Sequence, residues 1–264
     1  MRNIKLTLEY DGSRYNGFIQ PPKKGNKTTV SGKITDVLSR MESADAAASQ
    51  QVALPVLFCG EKTAAGVHAR KQIVNFKTDS VLSVREIRTY LNHYLPQDIV
   101  VSEAVETADR FHAELNACSR TYEYHITCSA FPDVFSRKYT HFLPQPLDID
   151  AMEHAAGLLT GKHDFAAFSS GKTKKSTARE LYSIDFEITD ISTDNEPDRE
   201  EIRIYLKANG FLQKMPLSLI GTLLDIGLGK RTPDCIEQIF SGQEDPSHSA
   251  VAHALFLKEI EYND

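Results

Sequence analysis

The sequence lacks the features that mark several large classes of protein. No apolar run approaches the roughly 20 residues that a membrane-spanning helix needs. Its four cysteines, Cys59, Cys118, Cys128 and Cys235, form no Cys-x-x-Cys pair and no metal-binding spacing, which is typical of reduced thiols. A strand-like pattern starts at residues 4–10 without a targeting segment. We therefore expect a soluble, cytoplasmic protein that binds no metal.

Signatures of familiar catalytic sites are also missing. The nine histidines include no His-Glu-x-x-His motif, and no Gly-x-Ser-x-Gly motif occurs. Residues 166–173 read Ala-x4-Gly-Lys-Thr, the loosest form of a phosphate-binding loop. The residues that follow predict a strand, whereas a working loop opens a helix that holds the phosphates. Neither zinc chemistry nor hydrolysis is supported.

What is present is a globular composition with an acidic balance. The 264 residues are 41% apolar and 25% charged, enough to bury a core in two compact units. The net charge of −6 argues against binding a polyanion over the whole surface, although it is compatible with a local basic groove.

Hydrophobic periodicity predicts the order β-α-β-β-α-β twice along the chain. The first copy has strands at 4–10, 53–58, 72–76 and 99–105, with helices at 30–41 and 84–95. The second has strands at 121–127, 181–188, 202–207 and 255–262, with helices at 150–159, 211–226 and 234–240. This order predicts an α+β protein of two tandem ferredoxin-like halves, 1–109 and 110–264. Residues 131–146 read as an irregular connection, and the acidic stretch 190–201 reads as a solvated hairpin tip that would repel a phosphate backbone.

The loop from Cys59 to Ala69 is the stretch around which the rest is organised. It lies between two apolar runs, contains two glycines for special backbone angles, and carries or adjoins Lys62, His68, Arg70 and Lys71. It contains no obvious nucleophile. Two interpretations stay open, a site presented from a sheet and a long hairpin whose cations are merely solvated.

Cations and aromatic residues recur outside the acidic stretch. They suit phosphate contacts and base stacking along one face. The alternative is ordinary charged surface, with Tyr122 and Tyr124 packed in a strand. The candidate RNA-binding residues are Arg14, Lys23, Lys24, His68, Arg70, Lys71, Arg120, Lys172, Lys174, Lys175 and Arg179.

Eight short motifs in order resemble the tRNA pseudouridine synthase A (TruA) family over essentially the whole chain. They are Tyr10-Asp11-Gly12-x2-Tyr15-x-Gly17, Thr29-Val30, Thr63-x2-Gly66-Val67-His68-Ala69-x2-Gln72, Arg110-Phe111-His112-Ala113, Arg120-x-Tyr122-x-Tyr124, Gly161-x-His163-Asp164-Phe165-x2-Phe168, Gly210-Phe211-Leu212-x2-Met215 and Gly221-Thr222-Leu223-Leu224. The resemblance implies mainly antiparallel sheets joined across a central cleft, a homodimer that grips tRNA, and no cofactor. It also implies that a uridine of the anticodon arm is flipped out and its base rejoined to the ribose through carbon.

The resemblance also implies that this chain has lost its catalytic carboxylate. The family loop reads Gly-Arg-Thr-Asp-Ala-Gly-Val-His-Ala, which puts the catalytic aspartate at Ala64 and the arginine at Lys62. A methyl group cannot attack a ribose or accept a proton. Glu61 is three positions upstream, roughly 10 Å away in an extended chain, too far to substitute without remodelling.

Other departures point in the same direction. Glu114 and Leu217 stand where the family has arginines, Pro216 enters a helical segment, and Phe18-Ile19 replaces Trp-Gln. Tyr122, the position that stacks on the target base in the family, is retained. We therefore expect a natural pseudoenzyme.

Three hypotheses follow for the function. The first is an inactive fold that binds tRNA or structured RNA, alone or as a heterodimer with an active paralogue. The second is an active synthase in which another residue acts or Ala64 is an introduced mutation, and the third is a protein-interaction module without RNA binding.

Overall fold

The computed structural model describes residues 1–19, 28–45, 55–170, 176–194 and 199–263. Within these ranges the chain forms ten strands, mostly in antiparallel pairs, and five α-helices, so the predicted α+β class is confirmed. The chain divides into two compact units, Met1–Cys118 with Leu257–Asp264, and Ser119–Phe256. The assignment of 1–109 and 110–264 as domains stays a prediction. All four cysteines are free thiols, and no described helix is long and apolar enough to cross a membrane.

The first unit follows the β-α-β-β-α-β order. Strand β1 lies between β4 and β3, and both β2 and β10 neighbour β3. Its elements are β1 (Arg2–Tyr10), α1 (Val30–Asp45), β2 (Phe58–Cys59), β3 (His68–Thr78), α2 (Val84–Tyr94), β4 (Ile99–Thr107) and, near the end of the chain, β10 (Leu255–Tyr262). Strand β3 starts four residues earlier than expected, so it includes the cationic stretch after the loop.

Local chemistry explains where these elements start and end. Alternate residues of β1, Ile4, Leu6 and Leu8, are fully buried, as a strand with one face in the core requires. Helix α2 begins with a capping box in which Ser83 and Glu86 bond each other's backbone N–H groups. These contacts stabilise the first unit, from which the loop between β2 and β3 extends.

The second unit is a sheet in the order β5-β9-β8-β7, with β6 parallel to β5. Helix α3 packs against α4, α5 and β8. Strands β6 and β7 are too short to show a period-two pattern and were not expected. The elements are β5 (Ala117–Cys128), β6 (His141–Leu143), α3 (Ile149–Leu159), β7 (Gly161–Asp164), β8 (Ala178–Asp190), β9 (Glu200–Ala208), α4 (Met215–Gly227) and α5 (Cys235–Phe240).

Helix α4 corrects one expectation about its proline. The helix begins four residues later than predicted, after Lys214, whose φ of 63° is the one positive value among the described non-glycine residues. Pro216 therefore falls in the first helical turn, where a missing N–H leaves no bond unmade. It does not interrupt the helix. Leu217, for which the sequence resemblance implies an arginine, is only 5% exposed and packs in the core.

Candidate active-site loop and RNA-binding residues

The loop between β2 and β3 is closed at its base by the buried side chain of Gln72. The Gln72 Nε2 donates to the carbonyl oxygen of Glu61 at 2.7 Å, and the Gln72 Oε1 accepts from the N–H of Glu61 at 3.2 Å. The N–H of Gly60 also donates to the carbonyl of Ile73 at 2.8 Å. A buried amide must find such partners, so these bonds fix the point at which the loop leaves the sheet.

Thr63 anchors the middle of the loop. Its Oγ1 lies 2.7 Å from the Oη of Tyr10, and burial raises the pKa of that phenol, which stays neutral. The carbonyl of Thr63 accepts from the N–H of Phe18 at 3.1 Å. Gly17 has a φ of +86°, and a Cβ there would lie 2.6 Å from the same carbonyl oxygen, so only glycine allows this approach.

A tight turn follows Ala64. The N–H of Val67 donates to the carbonyl of Ala64 at 3.2 Å, and Gly66, with a φ of +78°, donates to the carbonyl of Tyr15 at 3.3 Å. Gly12 approaches so closely that a Cβ would lie 2.0 Å from the Val67 carbonyl oxygen. The backbone of residue 64 is thus held from both sides.

Exposure differs between neighbouring residues of this part of the loop. Lys62 is exposed, Thr63 is buried and Ala64 is half-buried. At residue 64 the loop offers only a methyl group.

Lys62 forms an ion pair with Glu114. The Lys62 Nζ lies 2.9 Å from the Glu114 Oε1, and the two side chains are 53% and 42% exposed. Burial alone would lower the pKa of the Lys62 ammonium, but the hydrogen bond and the charge of Glu114 raise it above its ordinary value. In sequence, Lys62 and Glu114 are two separate departures from the pattern that the resemblance implies. In the structure they form one charge-compensated pair.

Two buried asparagines hold the segment that carries Glu114. The Nδ2 of Asn3 donates to the carbonyls of Ala108 and Phe111, both at 2.9 Å. The Oδ1 of Asn75 accepts from the N–H of Ala113 at 2.8 Å, and its Nδ2 donates to Asn3. Sequence reasoning missed both residues, although an amide inside an apolar strand pattern is a usable signal, because a buried amide needs bonded partners.

His68 lies inside the first unit. It is 1% exposed, and its Nδ1 accepts from the N–H of Gly12 at 3.0 Å and lies 3.1 Å from the Asp11 Oδ1. This burial favours a structural role, and an RNA contact by His68 stays a prediction.

The other described candidate RNA-binding residues of the first unit, Arg14, Arg70 and Lys71, are exposed. Arg14 forms an ion pair with Asp98, which also accepts from the Oη of Tyr15 at 2.6 Å. Arg70 and Lys71 lie exposed at the start of β3, directly after the loop. They are therefore placed for contacts with a ligand of the first unit.

Tyr122 lies in β5 of the second unit. The side chain is 3% exposed and packs edge to face against Phe211, with 5.1 Å between ring centroids. An edge-to-face pair of this kind fixes the orientation of both rings. Stacking on a base stays a prediction for Tyr122.

Arg120 and Arg179 lie next to Gly210. A Cβ at Gly210 would lie 3.9 Å from the Arg120 Nη1 and 3.8 Å from the Arg179 Nε. Arg120 is 8% exposed and donates to the carbonyl of Asn209 at 2.7 Å, whereas Arg179 is half-buried and donates to the carbonyl of Ser176 at 3.0 Å. The missing side chain at Gly210 leaves room beside both guanidiniums.

Five predicted RNA-binding residues lie outside the described ranges. They are Lys23, Lys24, Lys172, Lys174 and Lys175. After Lys175 the chain enters β8 at Ala178. The stretch 166–173 is therefore followed by a strand, as predicted, and not by the α-helix that a phosphate-binding loop requires.

Comparison with known proteins gives consistent matches. A family model described as tRNA pseudouridine synthase matches residues 155–263. A Bacillus cereus protein named tRNA pseudouridine synthase A 2 is 35% identical over 268 residues, which are 99% of this chain and all of the relative. A tRNA pseudouridine synthase A of a Bacillus species is 37% identical over 266 residues, again 99% of this chain and all of the relative. A Clostridium perfringens relative, also named tRNA pseudouridine synthase A 2, is 35% identical over 90% of both chains.

Proposed function

Since the chain belongs to the tRNA pseudouridine synthase A family, we propose that it binds tRNA or another structured RNA without isomerising uridine. The observation that carries this proposal is Ala64. Its loop keeps the backbone contacts that would aim a side chain, yet the residue has no carboxylate. A mechanism that uses a carboxylate at this position as base or nucleophile is therefore impossible in this chain.

The charges at positions 62 and 217 support the same proposal. Lys62 is engaged with Glu114 and lacks the planar fork by which an arginine holds a carboxylate or phosphate. Leu217 is buried, so the cation that the resemblance places there has no counterpart. This chain therefore offers a nucleotide fewer positive groups than the resemblance implies for an active synthase.

A substitute carboxylate from Glu61 is disfavoured by the same framework. Both backbone polar groups of Glu61 are bonded by Gln72, and its Oε1 accepts from the N–H of Lys62 at 3.2 Å. Moving Glu61 to the position of Ala64 would break these bonds.

RNA binding is supported by the cations of the chain. Arg70 and Lys71 are exposed, Arg179 is half-buried, and the segment 171–175 adds three lysines in sequence. We propose weak, salt-dependent binding through phosphates, in a homodimer or in a heterodimer with an active paralogue. Binding should be weak because the protein is acidic overall.

The test separates chemistry from binding. Purified protein is incubated with tRNA transcripts, and pseudouridine is detected by carbodiimide labelling, with an active relative as positive control. Retention of the same transcripts is measured at low and high salt. We expect no pseudouridine and retention at low salt only. Near-stoichiometric modification would refute the loss of activity, whereas absence of retention would favour a protein-interaction module.

A further inference from the structure

Strand β8 has an open edge over most of its length. On one side it pairs with β9 through residues 181–190, whereas on the other side it pairs with β7 only through residues 178–181. Within the described parts of the chain, no other strand lies on the β7 side of β8. Residues 182–190, which we call the β8 edge, therefore have one side without a neighbouring strand. An edge of this length can pair with another extended chain.

The hydrogen bonds of the β8–β9 pair show which backbone groups face the open side. Just beyond the two strands, the N–H of Ile191 donates to the carbonyl of Arg199 at 2.9 Å. Successive residues of an antiparallel strand direct their backbone groups to opposite sides, so every second residue back from Ile191 is bonded to β9. The residues between them direct their N–H and C=O groups to the open side, and these are Ile184, Phe186 and Ile188.

One face of the β8 edge is apolar. Ile184, Phe186 and Ile188 lie opposite fully buried apolar residues of β9. The first two are half-buried and Ile188 is 44% exposed, so they are less covered than their partners in β9. Side chains of a further strand on this face would pack against them.

Carboxylates occupy the other face of the β8 edge. Asp185 and Glu187 are exposed there. The Oη of Tyr205 donates to the Oε2 of Glu187 at 2.6 Å, which holds this carboxylate on the surface of the sheet. Arg203, whose Nη1 lies 4.0 Å from Glu187, belongs to β9 and is one strand further from the edge. Residues 182–190 themselves include no lysine or arginine, so an approaching chain meets carboxylates on this face.

These features select an extended basic segment as the occupant. A strand added to the β8 edge places alternate side chains beside the apolar residues and the others beside the carboxylates, so its sequence alternates apolar residues with lysine or arginine. A second copy of the same edge would bring carboxylates against carboxylates, which destabilises a strand pair. A phosphate backbone would be repelled in the same way and has no peptide groups with which to continue the sheet.

We infer that the β8 edge binds an extended segment of a partner protein in which apolar and basic residues alternate. Backbone hydrogen bonds to Ile184, Phe186 and Ile188 supply the pairing, and the two faces supply the selectivity. The inference goes beyond the proposed function and is independent of it, because no candidate RNA-binding residue lies within residues 182–190.

Amide hydrogen exchange, followed residue by residue by NMR, tests the inference with the probe peptide acetyl-Lys-Val-Lys-Val-Lys-Val-Lys-amide. In the protein alone, the amides of Ile184, Phe186 and Ile188 should exchange faster than those of Asp185 and Glu187, which are bonded to β9. With peptide at ten times its dissociation constant, we expect exchange at the three edge amides to slow about tenfold. The same peptide with glutamate in place of lysine is the charge control and should give no protection.

Two variants at one position separate backbone pairing from side-chain contact. Ile188→Pro removes an N–H that faces the open side and leaves the bonds to β9 in place, since proline is tolerated at such edge positions. Ile188→Ala keeps the N–H and loses the same side chain. We expect the proline variant to bind the probe peptide at least about tenfold more weakly than the wild type, and the alanine variant to lose less.

N-methylated peptides cover a proline variant that does not fold. One version of the probe peptide is methylated at the backbone nitrogens of its valines, and the other at those of its inner lysines. Alternate residues of a strand donate to the same side, so we expect one version to bind wild-type protein and the other to fail.

The remaining outcomes overturn the inference. It is wrong if millimolar probe peptide protects none of the three edge amides, if both methylated peptides bind equally, or if the glutamate peptide binds as well as the lysine peptide. Edge amides that are protected without peptide and lose this protection on dilution would assign the edge to a second copy. Protection by tRNA would assign it to nucleic acid. Loss of RNA binding or detection of pseudouridine would contradict the proposed function alone.

Discussion

The Nζ of Lys62 and the Oε1 of Glu114 lie 2.9 Å apart, although 52 positions separate the two residues in the chain. Each residue alone departs from the pattern that the sequence resemblance implies, and together they compensate each other's charge. Lys62 is thereby committed to a protein carboxylate two positions before Ala64.

A double-mutant cycle should detect this pairing. For Lys62→Met and Glu114→Gln, we expect a coupling of about 0.2–1 kcal/mol, because both side chains are half-exposed. The folded-state pKa of Lys62 is raised, so this contribution is present below the ordinary lysine pKa of about 10.4 and is lost as pH rises through the raised value. Urea unfolding of the four proteins at pH 7 and pH 11 measures both effects. A coupling unchanged at the higher pH would contradict the assignment.

Restoring the carboxylate alone should not restore activity. Ala64→Asp places an aspartate beside a lysine that is already paired, and a catalytic carboxylate works only with its partners in position. We expect no measurable pseudouridine in tRNA for the single variant. Adding Lys62→Arg and Glu114→Arg should raise the rate above that of the single variant. Family-like turnover by Ala64→Asp alone would show that the other substitutions are tolerated and that Ala64 is an introduced mutation.

An arginine at position 217, where the sequence resemblance implies one, cannot be introduced without a cost in stability. Leu217 is 5% exposed in the core, so Leu217→Arg buries a charge without a partner and should destabilise the protein by at least about 3 kcal/mol. Leu217→Met, which keeps the volume, should cost less than about 1.5 kcal/mol. Thermal unfolding compares the two. An arginine variant as stable as the methionine variant would mean that the side chain reaches solvent.

Binding of tRNA should depend on the lysines of residues 171–175. Replacing Lys174 and Lys175 together by glutamate reverses two charges in the segment that we propose contacts phosphates, so we expect retention of tRNA at low salt to be lost. Arg85→Glu with Arg88→Glu on α2 makes the same change of net charge elsewhere and serves as control. Equal loss in both variants would indicate a net-charge effect, and unchanged binding in both would favour a protein-interaction module.

Gly17 should be intolerant of a side chain. Gly17→Ala combines a positive φ with a Cβ 2.6 Å from the Thr63 carbonyl oxygen, and we expect a loss of roughly 2–4 kcal/mol in unfolding free energy. Gly229 also has a positive φ but no atom within 4 Å of an added Cβ, so Gly229→Ala should cost only about 1 kcal/mol. Urea unfolding of the two variants separates the clash from the backbone strain. Equal losses would mean that the loop can move away from Gly17.

Local pattern was enough to predict most of the fold. Strand β10 has the bounds that alternation predicted. Helix α2 starts at the predicted Val84 and ends at Tyr94, one residue before the predicted end, because Leu95 before Pro96 is already extended. Strands β6 and β7 were not predicted, because three or four residues are too few to show the alternation of apolar and polar residues that marks a strand. Helix α4 was placed four residues early because the apolar stretch begins before the backbone turn at Lys214.

The candidate site was only partly predictable, because its contacts join residues far apart in sequence. The loop and its missing carboxylate were visible in one stretch of chain. The pairing of Lys62 with Glu114 was not, since a charge at each position reads separately as a loss. The burial of Leu217 could not be predicted either, because a leucine in a helical segment can be buried or exposed, and the sequence alone does not show whether a charged side chain there would reach solvent.

The bonds that hold the loop come from Gln72, Tyr10 and the glycines, and none involves the side chain of residue 64. Folding therefore places almost no demand on the identity of that side chain. Selection for folding removes only substitutions that bring the protein below a threshold of stability, so it does not act against a change at residue 64. Only selection for the reaction itself could maintain an aspartate here. Once that selection ends, catalytic activity can be lost while the fold is retained, without a compensating substitution elsewhere.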